Sequence, residues 1–120
     1  MKKNLIITGG IFHPFSETSD TLSKILNSLG YDSEITLDVE EGIKNINDFD
    51  LVTFNALRWR MLNHEKYIPF LDEWQFNISE KSKNTLDSYI RSGGSMIAFH
   101  TSSICFDNWD GWSKILGGKW

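Results

Sequence analysis

The 120-residue chain has one cysteine, Cys105, so it can form no intrachain disulfide and lacks the paired spacing of a zinc ribbon or redox motif. A reducing compartment is therefore expected. Long apolar runs are also missing: Leu5-Ile6-Ile7 stops at Thr8-Gly9-Gly10, too early for the apolar region of a signal peptide, and nothing longer is suited to span a membrane. These features lead to the expectation of a cytoplasmic protein without a membrane partner. Positive charge is not in excess. The formal net charge is −4, and the Lys and Arg residues are scattered, which disfavours a nucleic-acid partner. The G-x-G-x-x-G and P-loop lysine patterns are absent, so Gly9-Gly10 ahead of a helix does not imply a nucleotide, and no cofactor is predicted. There is no G-x-S-x-G setting to make a nucleophile of Thr101, Ser102 or Ser103. No internal repeat or low-complexity stretch occurs.

What is present fits one soluble globular domain, with 40% apolar and 23% charged residues. Leu5 to Thr8 reads as a buried strand running into a glycine loop. Ser16, Thr18, Ser19 and Asp20 are N-cap candidates for a helix in which Leu22, Ile25, Leu26 and Leu29 recur at helical spacing before Gly30. Ser33 to Leu37 suits a second strand, Asp38 to Asn47 a loop with a short helix, and Asp50 to Asn55 a third, buried strand. Ala56 to Ile78 shows no clean period and reads as a partly helical insertion. Ser79 caps a helix to about Ser92, with Leu86, Tyr89 and Ile90 inward and Gly93-Gly94 as its stop. Ser95 to Phe99 is a fourth buried strand. Asp107 or Asn108 is then expected to cap a last helix carrying Trp109, Trp112, Ile115 and Leu116.

Strands alternating with helices predict an α/β fold: a flavodoxin-like three-layer sandwich with a mostly parallel sheet. In the strand order 2-1-3-4-5 the C-terminal ends of the first, third and fourth strands share one edge, and ligands of such sheets bind where strand order reverses. Residues just after Thr8, Phe54 and Phe99 are therefore the ones to weigh.

Several of these segments are specific when taken together. Ile6-Ile7-Thr8-Gly9-Gly10 with His13-Pro14-Phe15, then Phe49-Asp50-Leu51-Val52, then Tyr89 through Thr101, then Trp109 and Leu116-Gly117-Gly118 occur in order. Over nearly the whole chain this resembles the ThuA-like (trehalose utilisation) family of the class I glutamine amidotransferase-like superfamily. The resemblance implies the glutaminase-type fold and a role in carbohydrate metabolism. Two departures accompany it. Where the amidotransferases place a cysteine nucleophile after the fourth strand this chain has His100, so thiolate hydrolysis of glutamine is not expected. ThuA-like domains also continue past the element that here ends at Trp120, so the chain is expected to be the N-terminal part of a longer domain.

The candidate chemistry centres on two imidazoles. His100 stands at the strand end where a nucleophile elbow would present a side chain, and could serve as acid or base, ligate a metal, or only fix its turn. His13 lies in the loop after the first strand, stiffened by Pro14. Together they could supply half of a divalent-metal site, with Asp107, His64 or a residue outside this chain as third ligand. Asn55 and Arg58 follow the third strand and would offer an amide and a guanidinium to sugar hydroxyls or a carboxylate, or else close a turn and pair with a surface acid. Thr101 and Ser102 would add hydrogen bonds. Trp59, Trp74, Trp109 and Trp112 could stack on sugars or form core. Cys105, between Ile104 and Phe106, reads as packing. Two functions compete: an enzyme acting on a sugar or keto-sugar derivative through His100 and His13, and a non-catalytic domain binding a ligand or protein. An unpaired edge on the last strand would suit a homo-oligomer.

Overall fold

A computed structural model describes all residues, 1–120. Its four strands, β1 (Lys2–Gly9), β2 (Tyr31–Thr36), β3 (Leu51–Ala56) and β4 (Ser95–Ala98), form an all-parallel sheet in the order β2-β1-β3-β4. The helices are α1 (Phe15–Ser28), α2 (Val39–Lys44), α3 (Leu71–Trp74), α4 (Glu80–Arg91) and α5 (Asp110–Leu116), with 3-10 turns at Ile46–Asp48, Glu65–Phe70 and His100–Ser103. This is the flavodoxin-like α/β arrangement, and none of its helices is long and apolar enough to cross a membrane.

The two central strands are buried because they are packed on both faces. Leu5, Ile7, Val52 and Phe54 point to one side, into a core completed by Ile43, Leu86, Tyr89 and Trp112 from α2, α4 and α5. Phe54, Phe106 and Trp112 form its aromatic centre, with ring centroids 4.9 to 5.9 Å apart at steep angles. Such edge-on pairs contribute about 0.5–1.5 kcal/mol each beyond their burial. The opposite face is more polar, and α1 alone packs there among the helices. Asn4 and Thr53 are fully buried on it and satisfy each other: Thr53 Oγ1 donates to Asn4 Oδ1 at 2.8 Å, while Asn4 Nδ2 donates to Ser33 Oγ at 3.0 Å. Paired in this way, they avoid the cost of burying unsatisfied polar groups.

The structure corrects four expectations. Helix α1 starts at Phe15 behind Pro14, so Ser16, Thr18, Ser19 and Asp20 lie inside it and no side chain caps it. Of its predicted inward stripe, Leu26 is buried whereas Ile25 and Leu29 are largely exposed, because one helix cannot cover that face alone. Strand β4 is not buried: it is the sheet edge, and Ile97 remains exposed on the α1 side. Helix α5 follows Trp109, not a side-chain cap. Asp107 accepts instead from Arg60 N at 3.0 Å, and Asn108 Nδ2 donates to the Ile78 carbonyl at 3.2 Å. The Ala56–Ile78 segment is partly helical and builds a second small core of Ile11, Phe15, Leu57, Trp59 and Met61 above the β1–α1 loop.

Candidate functional site

Parallel strands in this order bring the loops after β1, β3 and β4 to one edge of the sheet. Thr8 stands opposite Asn55, Gly9 opposite Ala56, and Phe54 opposite Ala98, so the chain segments leaving β1, β3 and β4 emerge side by side. The turn after β4 is fastened to β3 by three bonds: Phe99 N donates to the Phe54 carbonyl at 2.9 Å, Ser102 Oγ to the same carbonyl at 3.0 Å, and Thr101 Oγ1 to the Ala56 carbonyl at 2.7 Å. Trp112 Nε1 donates to the Ser102 carbonyl at 2.8 Å from below. Held this way, His100 adopts a left-handed backbone with φ of 40°, a conformation that disfavours side chains with a Cβ.

The held turn presents His100 to His13. Their ring centroids are 5.5 Å apart and the planes cross at 68°. His13 Nδ1 lies 3.1 Å from the Ile11 carbonyl oxygen. A carbonyl only accepts, so Nδ1 carries the proton in this contact, and in the neutral ring Nε2 is left as the basic nitrogen. The imidazoles line a cleft of about 420 Å³ together with Phe15, Glu17, Thr18, Asn55, Phe99 and Thr101. That volume falls among ordinary small-molecule sites.

Asn55 is locked by its own network. Its Nδ2 donates to Thr18 Oγ1 at 2.9 Å and to Ser19 Oγ at 3.0 Å, Ser19 Oγ donates to Thr8 Oγ1 at 2.8 Å, and Thr8 Oγ1 donates to the Asn55 carbonyl at 2.7 Å. Both amide hydrogens are thus used, and Oδ1 remains to accept from a ligand.

The other candidates lie elsewhere. Thr101 borders the cleft with its hydroxyl committed to Ala56, and Ser102 is wholly buried under the turn, where it acts as a fastener. Arg58 does not accompany Asn55 into the cleft. It is buried, and its guanidinium donates to the Leu37 carbonyl and lies 4.9 Å over the Trp74 ring. Desolvation by that burial holds it below the usual arginine pKa, only partly offset by Cys105 and Asp38. The residues weighed as third metal ligands are also placed apart: Asp107 pairs with Arg60 at 3.3 Å, and His64 Nδ1 accepts from Lys66 N at 3.0 Å. No group of three His, Cys, Asp or Glu side chains with metal-binding geometry occurs in the chain. Trp112 and Trp59 are core, and Trp74 is the face on which Arg58 lies.

Sequence reasoning missed Glu17 and Thr18, which enter the cleft because α1 begins earlier than the capping signals imply. It also missed Trp120, whose ring lies 6.4 Å from that of His100.

No family model and no curated protein matches this chain. Among solved structures it is similar to a crystal structure, at 2.30 Å resolution, of a protein from Bacteroides uniformis described as ThuA-like. The TM-score is 0.66 over 98% of this chain, at 19% sequence identity. The chain spans 44% of the length of that neighbour. At this identity the likeness establishes the fold.

Proposed function

We propose that the chain carries a ThuA-like sugar site, acting on a sugar or keto-sugar derivative by proton transfer through His13 and His100, and that it is not a glutamine amidotransferase. The observation that carries this reading is the edge-to-face imidazole pair at the C-terminal ends of parallel strands. A hydrogen next to a sugar carbonyl can be taken by one neutral imidazole while the other, protonated, gives a proton to the carbonyl oxygen. In this reading Asn55 Oδ1 would accept from a sugar hydroxyl, and Phe15 and Phe99, which line the same cleft, would offer apolar surface to a ring face. Amidotransferase chemistry would need a thiolate. Cys105 lies under Arg58, 2% exposed, with its thiol pushed up to about 12 by desolvation.

The test is exchange of substrate hydrogen for deuterium, followed by proton NMR over a panel of disaccharides and keto-sugars. We expect exchange with wild type, and a fall of about 10²–10⁴-fold in His13→Ala and His100→Ala. A panel on which wild type is inert would sink the reading, and unchanged exchange in His100→Ala would remove that residue from the mechanism.

A second reading, a non-catalytic domain that binds another chain, draws on the edge position of β4 and the exposure of Ile97 and Phe99 beside it. Solution mass separates the two: a strict monomer across the concentration range speaks against self-association.

A further inference from the structure

The side chains lining the imidazole cleft have given most of their hydrogens to the chain itself. Thr101 Oγ1 donates to the Ala56 carbonyl at 2.7 Å, Thr21 Oγ1 to the Glu17 carbonyl at 3.0 Å, and Thr18 Oγ1 to the Pro14 carbonyl at 3.1 Å. A hydroxyl has one hydrogen, so each of these oxygens keeps only lone pairs. The spent hydroxyl of Thr18 also fixes the amide of Asn55. Because Ser19 gives its own hydrogen to Thr8, both hydroxyls facing Asn55 can only accept, and Nδ2 must be the atom turned toward them, at 2.9 and 3.0 Å. Both amide hydrogens are thereby used and Oδ1 is free. Neutral His13, with its Nδ1 hydrogen toward Ile11, presents Nε2 as one more acceptor. The side chains thus offer a ligand a field of acceptors, in which only the imidazoles have a hydrogen to give.

The charge of the cleft has the same sense. No lysine or arginine lines it, and Glu17 is its one carboxylate. Arg58, the cation expected beside Asn55, is turned away to Leu37 and Trp74. Glu17 joins none of the chain's ion pairs. It stands in the first turn of α1 and supplies the negative charge that a helix start favours. An anionic ligand would meet this carboxylate with no fixed cation to answer it, whereas an ammonium brings three donors and the missing charge.

We propose that the cleft takes an amino sugar: a polyol whose hydroxyls donate to Asn55 Oδ1 and the threonine oxygens, and whose ammonium lies against Glu17. This deepens the reading above and rests on it for the sugar part. Glu17 becomes the residue that sets specificity, and sugar acids and sugar phosphates are turned away. The imidazoles, as the side-chain donors of the cleft, are left to the sugar carbonyl.

The experiment is a titration of the whole chain followed by proton–nitrogen NMR, with protonated glucosamine, glucose and glucuronate. We expect glucosamine to shift the Thr18 and Thr101 amides and the Asn55 side-chain amide together and saturably, glucose to do so more weakly, and glucuronate to leave them unmoved. In Glu17→Gln the preference for glucosamine over glucose should fall by about fivefold, the order set by an ion pair open to water. Added salt should lower the same preference in wild type. Glu17→Lys should reverse the order and admit glucuronate. Glu17 is exposed, so neither substitution empties a buried position. Glucuronate binding to wild type as tightly as glucosamine, a preference that survives Glu17→Gln unchanged, or signals unmoved by all three sugars overturns the proposal. Because the readout involves no turnover, preference for glucosamine without any deuterium exchange would sustain the amino-sugar site while defeating the imidazole chemistry. Exchange on a neutral keto-sugar with no preference for glucosamine would do the opposite.

Discussion

The ring of His13 meets the ring of His100 edge to face at 5.5 Å, although one belongs to the loop after β1 and the other to the turn after β4. Neither histidine is near the other in sequence, and only strand order makes them neighbours. The loop of His13 is held by the His13 Nδ1–Ile11 contact, and the turn of His100 by the bonds of Thr101 and Ser102 to β3. The pair is therefore built from two separately anchored supports, which is how a fold holds a reactive geometry without flexible side chains.

One support is strained, and this separates stability from chemistry. His100 sits at φ of 40°, where glycine is at ease and other residues cost about 1–2 kcal/mol. His100→Gly should accordingly be more stable in urea than His100→Ala by about 1 kcal/mol, with both variants losing deuterium exchange alike. Equal stability of the two would mean that the turn relaxes once the imidazole is gone.

A second prediction concerns how α2 is fixed to α4. Glu40 Oε1 accepts from Ser79 N at 2.9 Å, and Oε2 accepts from Ser79 Oγ at 2.9 Å and from Ser82 Oγ. This carboxylate crowns the N-terminus of α4 from outside it, adding to the Ser79 cap that accepts from Ser82 N at 3.1 Å. Replacing Glu40 by Ala should cost about 1–3 kcal/mol in denaturant unfolding and speed amide exchange at Ser79 and Ser82. A loss within about 0.5 kcal/mol, the range of an ordinary surface change, would show the contact to be incidental.

Most of the framework was legible because it rests on local signals. Apolar runs marked β1 and β3, and Ser79 with Leu86 and Tyr89 marked α4 almost to its ends. The order of elements then yielded the sheet order and, through it, the meeting of His13, Asn55 and His100 at one cleft. What escaped depends on distant partners. The run Ser95 to Phe99 reads as buried, yet burial of a strand depends on what lies beside it, and here β4 has a neighbour on one side only. Ser16 and Thr18 have the composition of caps, but Pro14 fixes the chain earlier and draws them into the helix. Asn55 is the next-to-last residue of β3 and Arg58 follows two residues after its end, and no spacing rule shows that the long side chain of Arg58 turns toward Leu37 and Trp74 while the amide of Asn55 stays in the cleft. Ser102 illustrates the same limit: a hydroxyl after a strand can face a ligand or the core, and the carbonyl of Phe54 decides it.

The last prediction follows from the burial of Cys105. Its Sγ accepts from Arg58 N at 3.2 Å and donates to the Ala56 carbonyl at 3.5 Å, so the protonated thiol fits the site and the thiolate does not. Desolvation raises its pKa from 9.0 to about 12, against smaller lowering effects from Arg58. In the unfolded chain the thiol ionises near its ordinary value, and above that pH the unfolded state binds fewer protons than the folded one. Stability from this group is therefore fully present below about pH 9 and is lost as pH rises toward 12, at up to about 1.4 kcal/mol per pH unit. Tyrosines and lysines titrate in the same range, so the quantity to measure is the difference between wild type and Cys105→Ala in denaturant unfolding at successive pH values. That difference should shrink steadily in the alkaline arm, and in native protein at pH 8 the thiol should resist a thiol reagent until the chain unfolds. A difference that stays flat up to pH 11, or prompt labelling of the folded protein, would mean that water reaches Cys105 and that the floor beneath Arg58 is open.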